Sequence, residues 1–129
     1  MILAIKTSSD DAELYIIEDN EVIYSDRWSS KRQLEQDILI RIKNSMKKTE
    51  TTWQDIIGLV IFAGPGSFTG LRIGFAVFNT LSFTLSVRNV SSSGDSWLED
   101  GVRQLSLIEQ PSILVPEYGG QPNITKPKK

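Results

Sequence analysis

The stretch GPGSFTGLRIG, residues 64–74, largely determines the fold of this chain. It follows the apolar run IIGLVIFA of residues 56–63 and leads into an apolar pattern that continues from Phe68 to about Ser86. A buried strand, a glycine-rich turn and a helix in succession are typical of an α/β fold. Backbone N–H groups at the start of such a helix can bind an anion. The stretch therefore predicts either a phosphate site or a close contact between helices.

The glycine spacing matches neither of the common nucleotide-binding motifs. A P-loop places a lysine directly after its last glycine, and no lysine follows these glycines. Gly64, Gly66 and Gly70 are spaced one residue too widely for the dinucleotide-binding pattern, and Pro65 lies within the turn. Two alternatives stay open: a weak anion site at Gly64, Gly66 and Ser67, or a structural turn in which Ser67 caps the helix.

The helix predicted after this turn has two apolar faces at about 100° per residue. One face carries Phe68, Leu71, Phe75 and Phe78, and the other carries Gly70, Gly74, Val77 and Leu81. A helix that covers a sheet needs only one such face, so the second contacts another helix of this chain or another protein. We predict a partner interface that consists of both faces together with Leu34, Ile38 and Ile40 of the preceding helix.

The rest of the chain predicts a mixed α/β sheet with three leading antiparallel strands and two main helices. A fourth strand parallel to the first is expected, as in a single ribonuclease H-like lobe of the actin-like ATPase superfamily. A capping box at Ser30 and Gln33 predicts where the first helix begins. Residues 1–110 are interpreted as this lobe, and residues 111–129 as a terminal strand segment and a flexible basic tail. The elements are strands at residues 2–6, 12–19, 22–28, 56–63 and 87–90, and helices at 31–48, 68–86 and 95–105.

The amino-acid composition excludes several kinds of catalytic and metal site. The 129 residues include 40% hydrophobic residues and carry a net charge of −2, so no overall positive field attracts nucleic acid. Because the chain has no cysteine and no histidine, it lacks a thiolate zinc site, a cysteine nucleophile and the commonest general base. No apolar run is long enough for a signal peptide or a membrane span, so a cytoplasmic location is expected.

Three stretches of the sequence resemble those of a known family. GPGSFTGLRIG is similar, almost letter for letter, to the signature of the bacterial TsaB family, also called YeaZ. The beginning, ILAIKTSS, resembles the first strand and turn of that family, and PSILVPEYGGQPNITKPKK resembles its terminal segment more loosely. The resemblance covers residues 1–92 and, weakly, the tail.

The resemblance implies an actin-like ATPase fold and a role in making threonylcarbamoyladenosine in tRNA. It implies a noncatalytic scaffold or dimerisation subunit that pairs with a TsaD-type threonylcarbamoyltransferase through the two helices that flank the signature. A TsaE-type ATPase is a further implied partner, a homodimer is expected when the chain is alone, and tRNA is contacted only indirectly. No cofactor or metal is expected on this chain alone, and ATP is expected only at the level of the complex.

Three departures from the family pattern bear on that implication. Lys6 stands where the first strand of the family usually carries an acidic residue, and Arg32-Gln33-Leu34-Glu35 replaces a usual R-Q-H-S. The second lobe of the family is expected to be missing, because the region around Trp97 leads almost directly to the terminal segment. The resemblance is therefore to a shortened, one-lobe version.

Enzymatic alternatives are weighed against the scaffold. An ATP-binding phosphotransferase-like fragment of the same superfamily would need carboxylates for magnesium, and only Asp10 and Asp11 stand near the first strand. Adjacent acids in a turn are more often solvated turn formers. Peptidase activity is not expected. A zinc peptidase needs histidine or cysteine ligands, and a serine peptidase would need a histidine base beside Ser67, but the chain has neither histidine nor cysteine. Lys43, Lys47 and Lys48 are read as a solvated face rather than as a tRNA contact.

Overall fold

The computed structural model describes residues 1–30 and 33–117, which form a mixed five-stranded sheet with helices on both faces. The strands are β1 (Ile2–Lys6), β2 (Asp11–Glu18), β3 (Glu21–Ser29), β4 (Gly58–Phe62) and β5 (Arg88–Ser92). The helices are α1 (Leu34–Lys48), α2 (Phe68–Leu85) and α3 (Trp97–Leu105), and a 3-10 turn covers Trp53–Asp55.

The strand order is β3-β2-β1-β4-β5, which confirms the predicted mixed sheet. β1, β2 and β3 pair antiparallel, whereas β4 pairs parallel to β1 and β5 parallel to β4. The two-residue turn between β2 and β3 has positive φ at Asp19 (53°) and Asn20 (66°), which is the geometry that favours a tight hairpin. Each parallel pair needs a crossover, and α1 and α2 supply the two crossovers.

The sheet separates two hydrophobic clusters. On one face α1 covers β2 and β3 and α2 covers β4 and β5, and Ile38, Ile42 and Phe78 belong to the larger cluster beneath them. α3 covers β4 and β5 on the other face, where Trp97 and Leu105 pack. Because β4 is covered on both sides, it is buried along its whole length and shows as a continuous apolar run in the sequence. None of the helices in the described part of the chain combines the length and apolarity needed to cross a bilayer.

Two local predictions need correction. The predicted capping box at Ser30 and Gln33 is wrong, because the Ser30 hydroxyl donates to the backbone oxygen of Asp10 and the side chain of Gln33, the N-cap residue of α1, makes no capping hydrogen bond. A capping box forms instead at Thr52 and Asp55, before the 3-10 turn.

The terminal strand predicted after residue 110 is also corrected within the described residues. Residues 111–117 do not join the sheet but run as an irregular segment against α2 and β5. The predicted basic tail at 118–129, including Lys126, Lys128 and Lys129, and the predicted helix start at 31–32 lie outside the described residues.

Three glycines place α2 directly on the turn between β1 and β2. A Cβ at Gly66 would meet Ser8, and a Cβ at Gly70 would overlap the backbone oxygen of Thr7. A Cβ at Gly74 would overlap the hydroxyl of Thr7, a side chain that is fully buried. The interpretation that Gly70 and Gly74 receive a partner helix is therefore corrected, because the close approach that they permit is made within this chain.

We predict that Gly74→Ala lowers the free energy of unfolding by about 1–3 kcal/mol, because the new methyl group has to displace the buried Thr7 side chain. Urea denaturation measures the change. In the Gly74→Ala background, Thr7→Ala should recover part of the loss because it removes the overlapping atoms. Thr84→Ala, at an exposed position of the same helix, serves as the control and should change stability little. An alanine at position 74 that stabilises the chain would contradict this packing.

A second prediction concerns Tyr15, which lies beneath α3 with its ring 6.0 Å from that of Trp97. Burial, followed by the hydrogen bond from its hydroxyl to Glu13, raises the pKa of Tyr15 to about 12 from an ordinary value of 10.0. Since the folded chain holds this proton more tightly than the unfolded chain, stability is full below pH 10.0 and falls as the pH rises toward about 12. Denaturant titrations on both sides of pH 10.0 measure this fall, which should be smaller in Tyr15→Phe. An equal fall in both proteins would assign it to another group.

Candidate partner-binding surface

The signature turn is engaged within the chain. The Ser67 hydroxyl accepts a hydrogen bond from the N–H of Gly70 at 3.2 Å, which confirms Ser67 as the cap of α2. The N–H of Ser67 donates to the backbone oxygen of Ser8 at 2.8 Å. Gly64 has a positive φ of 118°, and a Cβ there would overlap the backbone oxygen of Glu117. An anion at Gly64, Gly66 and Ser67 would have to displace the Ser67 contacts, so the weak anion site stays a prediction.

The outer side of α2 is the floor of an open groove of about 640 Å³, which we call the docking face. Glu35 and Leu39 of α1 form one wall, and Pro116 of the terminal segment lies on the other side. Apolar atoms make up most of its lining. The floor residues are Thr69, Arg72, Ile73, Phe75, Ala76, Val77, Thr80 and Leu81.

Further exposed apolar side chains lie on the two helices that line this groove. Ile40 of α1 is 58% exposed, and Phe68 and Phe83 of α2 are 56% and 50% exposed. The guanidinium of Arg72 lies 5.3 Å from the centre of the Phe68 ring. Large apolar side chains this exposed and this close together are typical of a surface that binds another protein.

Contacts with β3 hold α1 beside the groove. Arg41 pairs with Asp26 at 3.3 Å, and its guanidinium lies 5.1 Å from the centre of the Trp28 ring. At the end of the helix, the Lys48 ammonium lies 5.9 Å from the Tyr24 ring centre. These contacts join α1 to the edge of the sheet, so the wall that carries Leu39 has a defined position.

The predicted interface residues divide into four groups. Ile40 and Phe68 are exposed beside the docking face, and Val77 and Leu81 are half-buried in its floor. Gly70 and Gly74 face Thr7, as described above. Phe75 borders the groove but is only 3% exposed. The prediction is wrong for the remaining residues, which are buried in the core of this chain and line no part of the groove: Leu34, Ile38, Leu71 and Phe78.

Sequence reasoning missed several residues of the docking face. Leu39 is not among the predicted interface residues, although it lines the groove and is 41% exposed. Thr69, Ala76 and Thr80 are small or polar, so they did not stand out in a search for apolar faces. A helical wheel that grouped them with Arg72 would have shown one continuous outer stripe. Nothing local to Pro116 marks it as part of a wall.

Within the described residues, the region at the carboxyl end of β1 shows no cluster of acidic side chains of the kind that holds the metal ion of a bound nucleotide. The Lys6 ammonium lies 4.5 Å from the centre of the Phe62 ring, and Asp11 pairs with Arg27 at 3.5 Å. Among residues 1–30 and 33–117, no three metal-ligating side chains are grouped in a way that could hold a metal ion. The candidate functional site considered below is therefore the docking face.

Comparison with known proteins gives a match to a TsaD family model and matches to curated TsaB proteins. Residues 26–92 match the family model described as "TsaD: tRNA N6-adenosine threonylcarbamoyltransferase". The chain is also 33% identical over 87 residues to the tRNA threonylcarbamoyladenosine biosynthesis protein TsaB of Buchnera aphidicola subsp. Schizaphis graminum (strain Sg). That match covers 67% of this chain and 41% of the relative.

A second TsaB, from Buchnera aphidicola subsp. Acyrthosiphon pisum (strain APS), is 31% identical over 93 residues, which are 72% of this chain and 42% of the relative. Among solved structures, YeaZ from Pseudomonas aeruginosa superposes with a TM-score of 0.67 at 23% identity, over 71% of this chain and 43% of that chain. The similarity in structure establishes a shared actin-like fold. The matched part of the chain spans about two fifths of the length of these relatives.

We predict that Ser67→Ala lowers the free energy of unfolding by about 0.5–2 kcal/mol, because it removes the acceptor for the N–H of Gly70. Thermal denaturation measures the loss. Ser67→Asp should retain most of the stability, because a carboxylate also caps a helix and suits its positive end. If Ser67→Asp were as unstable as Ser67→Ala, the capping role would be wrong.

Proposed function

Because the chain belongs to the TsaB (YeaZ) family, we propose that it is a noncatalytic subunit that supports threonylcarbamoyladenosine formation in tRNA. Its partner in this proposal is a TsaD-type threonylcarbamoyltransferase, which binds at the docking face. The docking face itself is the observation that carries the proposal, because it is a largely apolar groove on the outer side of two helices.

The chemistry of the described residues supports a binding role rather than catalysis. The whole chain has no histidine and no cysteine, and Lys6 takes the place of an acid at the end of β1. The Ser67 hydroxyl accepts the N–H of Gly70 as a helix cap, and the chain has no histidine that could activate it as a nucleophile. Transfer of the threonylcarbamoyl group is therefore assigned to the partner.

The geometry of the docking face fits a pair of helices from the partner. A helix can lie along the outer stripe of α2, where Ala76 and Thr80 are small enough to let it approach. Leu39 and Ile40 would then contact a second helix of the partner, and Glu35 provides a charged rim. Apolar contacts in the centre with charges at the edge are usual for specific protein interfaces.

The remaining parts of the proposal follow from the same surface. Without the partner, the docking face would be covered by a second copy of the chain in a twofold dimer. ATP and a TsaE-type ATPase belong to the assembled complex, tRNA is contacted only indirectly, and the complex works in the cytoplasm. The alternative, an ATP-binding phosphotransferase-like fragment, has less support because Asp11 is committed to Arg27.

We predict that Ala76→Arg abolishes partner binding while the chain stays folded. Ala76 is exposed in the floor of the groove, and arginine is a good helix former, so the helix itself tolerates the change. The long charged side chain would occupy the space of the partner helix and weaken binding by more than about tenfold. Isothermal titration with the TsaD-type subunit of the same cell measures affinity, and a reconstituted reaction measures threonylcarbamoyladenosine in tRNA.

The control for this experiment is Val22→Arg. Val22 is also an exposed apolar residue, but it lies near α3 on the opposite side of the sheet. This variant should bind the partner and support modification as the unmodified chain does. Equal binding by both variants would show that the docking face is not the site of contact. Modification activity by the purified chain alone would refute the noncatalytic role.

A further inference from the structure

The terminal segment, residues 112–117, is held in place by side chains rather than by a strand ladder, and we call it the strap. We propose that the strap is part of the surface that contacts the TsaD-type partner, and that Asn79 and Asn89 are the positioning residues that hold it there. This inference rests on the proposed function and adds a third element to the two helices of the docking face.

Each asparagine binds both backbone groups of one strap residue. The Asn79 side chain donates to the oxygen of Leu114 and accepts from its N–H, both at 3.0 Å. The Asn89 side chain donates to the oxygen of Ser112 at 2.8 Å and accepts from its N–H at 3.0 Å. The two amides thus provide Ser112 and Leu114 with the pair of backbone hydrogen bonds that a neighbouring strand would otherwise provide.

Ser82 connects the two asparagines into one network. Its hydroxyl donates to the backbone oxygen of Asn79 and accepts from the side chain of Asn89, both at 3.0 Å. Asn89 and Ser82 are buried, so water cannot readily replace these bonds. A buried polar network in which each amide has its partners fixes one arrangement of the strap.

The strap ends at the signature turn and at the docking face. The N–H of Glu117 donates to the oxygen of Ala63 at 2.7 Å, directly before the signature glycines. Pro116 lies against the groove between the helices. The strap therefore continues the wall of the docking face on the side away from α1.

The outward side of the strap is apolar. Leu114 packs against the core beneath α2, whereas Ile113 and Val115 on either side of it are each 76% exposed. Val115 directly precedes Pro116, which is the strap residue that lines the groove. In this proposal, a partner that fills the groove also covers these two exposed β-branched side chains.

The test is a double-mutant cycle with Asn79→Ala and Val115→Asp, in which binding of the TsaD-type subunit is measured by isothermal titration. Val115→Asp should weaken binding by about tenfold, because it places a charge in an apolar contact, and it should leave the melting temperature unchanged because Val115 is exposed. Asn79→Ala should weaken binding by a similar factor by releasing the strap. Hydrogen exchange at the Leu114 amide should be faster in Asn79→Ala and unchanged in Val115→Asp.

The positioning role predicts that the two effects are not additive. Once Asn79→Ala has released the strap, Val115→Asp should cause little further loss, whereas a general loss of stability would leave the two effects independent. Val22→Asp is the matched control and should bind as the unmodified chain does.

Several outcomes would overturn the inference. Unchanged binding by Val115→Asp would exclude the strap from the interface, even if Asn79→Ala failed to fold. Additive losses would refute the role of Asn79. If Ala76→Arg abolishes binding while the strap variants bind normally, the inference fails and the proposed function stands. If the unmodified chain does not bind the partner, both fail.

Discussion

The contact between α2 and the turn after β1 is the constraint on which the rest of the structure depends. Glycines at positions 66, 70 and 74 remove side chains where the helix meets Thr7 and Ser8, so helix and turn approach at backbone distance. That approach fixes the height of α2 above the sheet, and the buried stripe of the helix faces β4 and β5. It therefore also determines which stripe of α2 faces outward, and with it the position of the docking face.

The two faces of the sheet differ in how completely their helices are packed. On the side of α3, Trp97 contacts Tyr15 and Phe62 edge-on and helps to close a small core. On the side of α1 and α2, the core is larger, but the two helices leave an open groove between their outer surfaces. A site for chemistry would need converging polar groups, whereas this groove offers mostly apolar contacts. The structure thus favours recognition of another protein.

Most of the fold could be predicted from the sequence because its signals are local. The hairpin turn at Asp19-Asn20 and the fully apolar β4 are each encoded by a few adjacent residues. The orientation of α2 could not be predicted. A glycine indicates that another group approaches the backbone closely, but the sequence does not show that this group is Thr7, which is more than 60 residues away. For the same reason the glycine stripe was assigned to a partner. The strap was missed because its two supports, Asn79 and Asn89, act through tertiary hydrogen bonds that leave no periodic pattern.

The strap has a consequence for the order in which the chain folds. The antiparallel hairpins of β1, β2 and β3 join near neighbours in sequence, whereas the strap reaches back 35 residues to Asn79 and 23 residues to Asn89. Contacts that close longer loops form later, and this one requires α2 and β5 to be in place first. Because the strap completes one side of the groove, a partly folded chain presents an incomplete surface. The groove is therefore complete only when folding has finished.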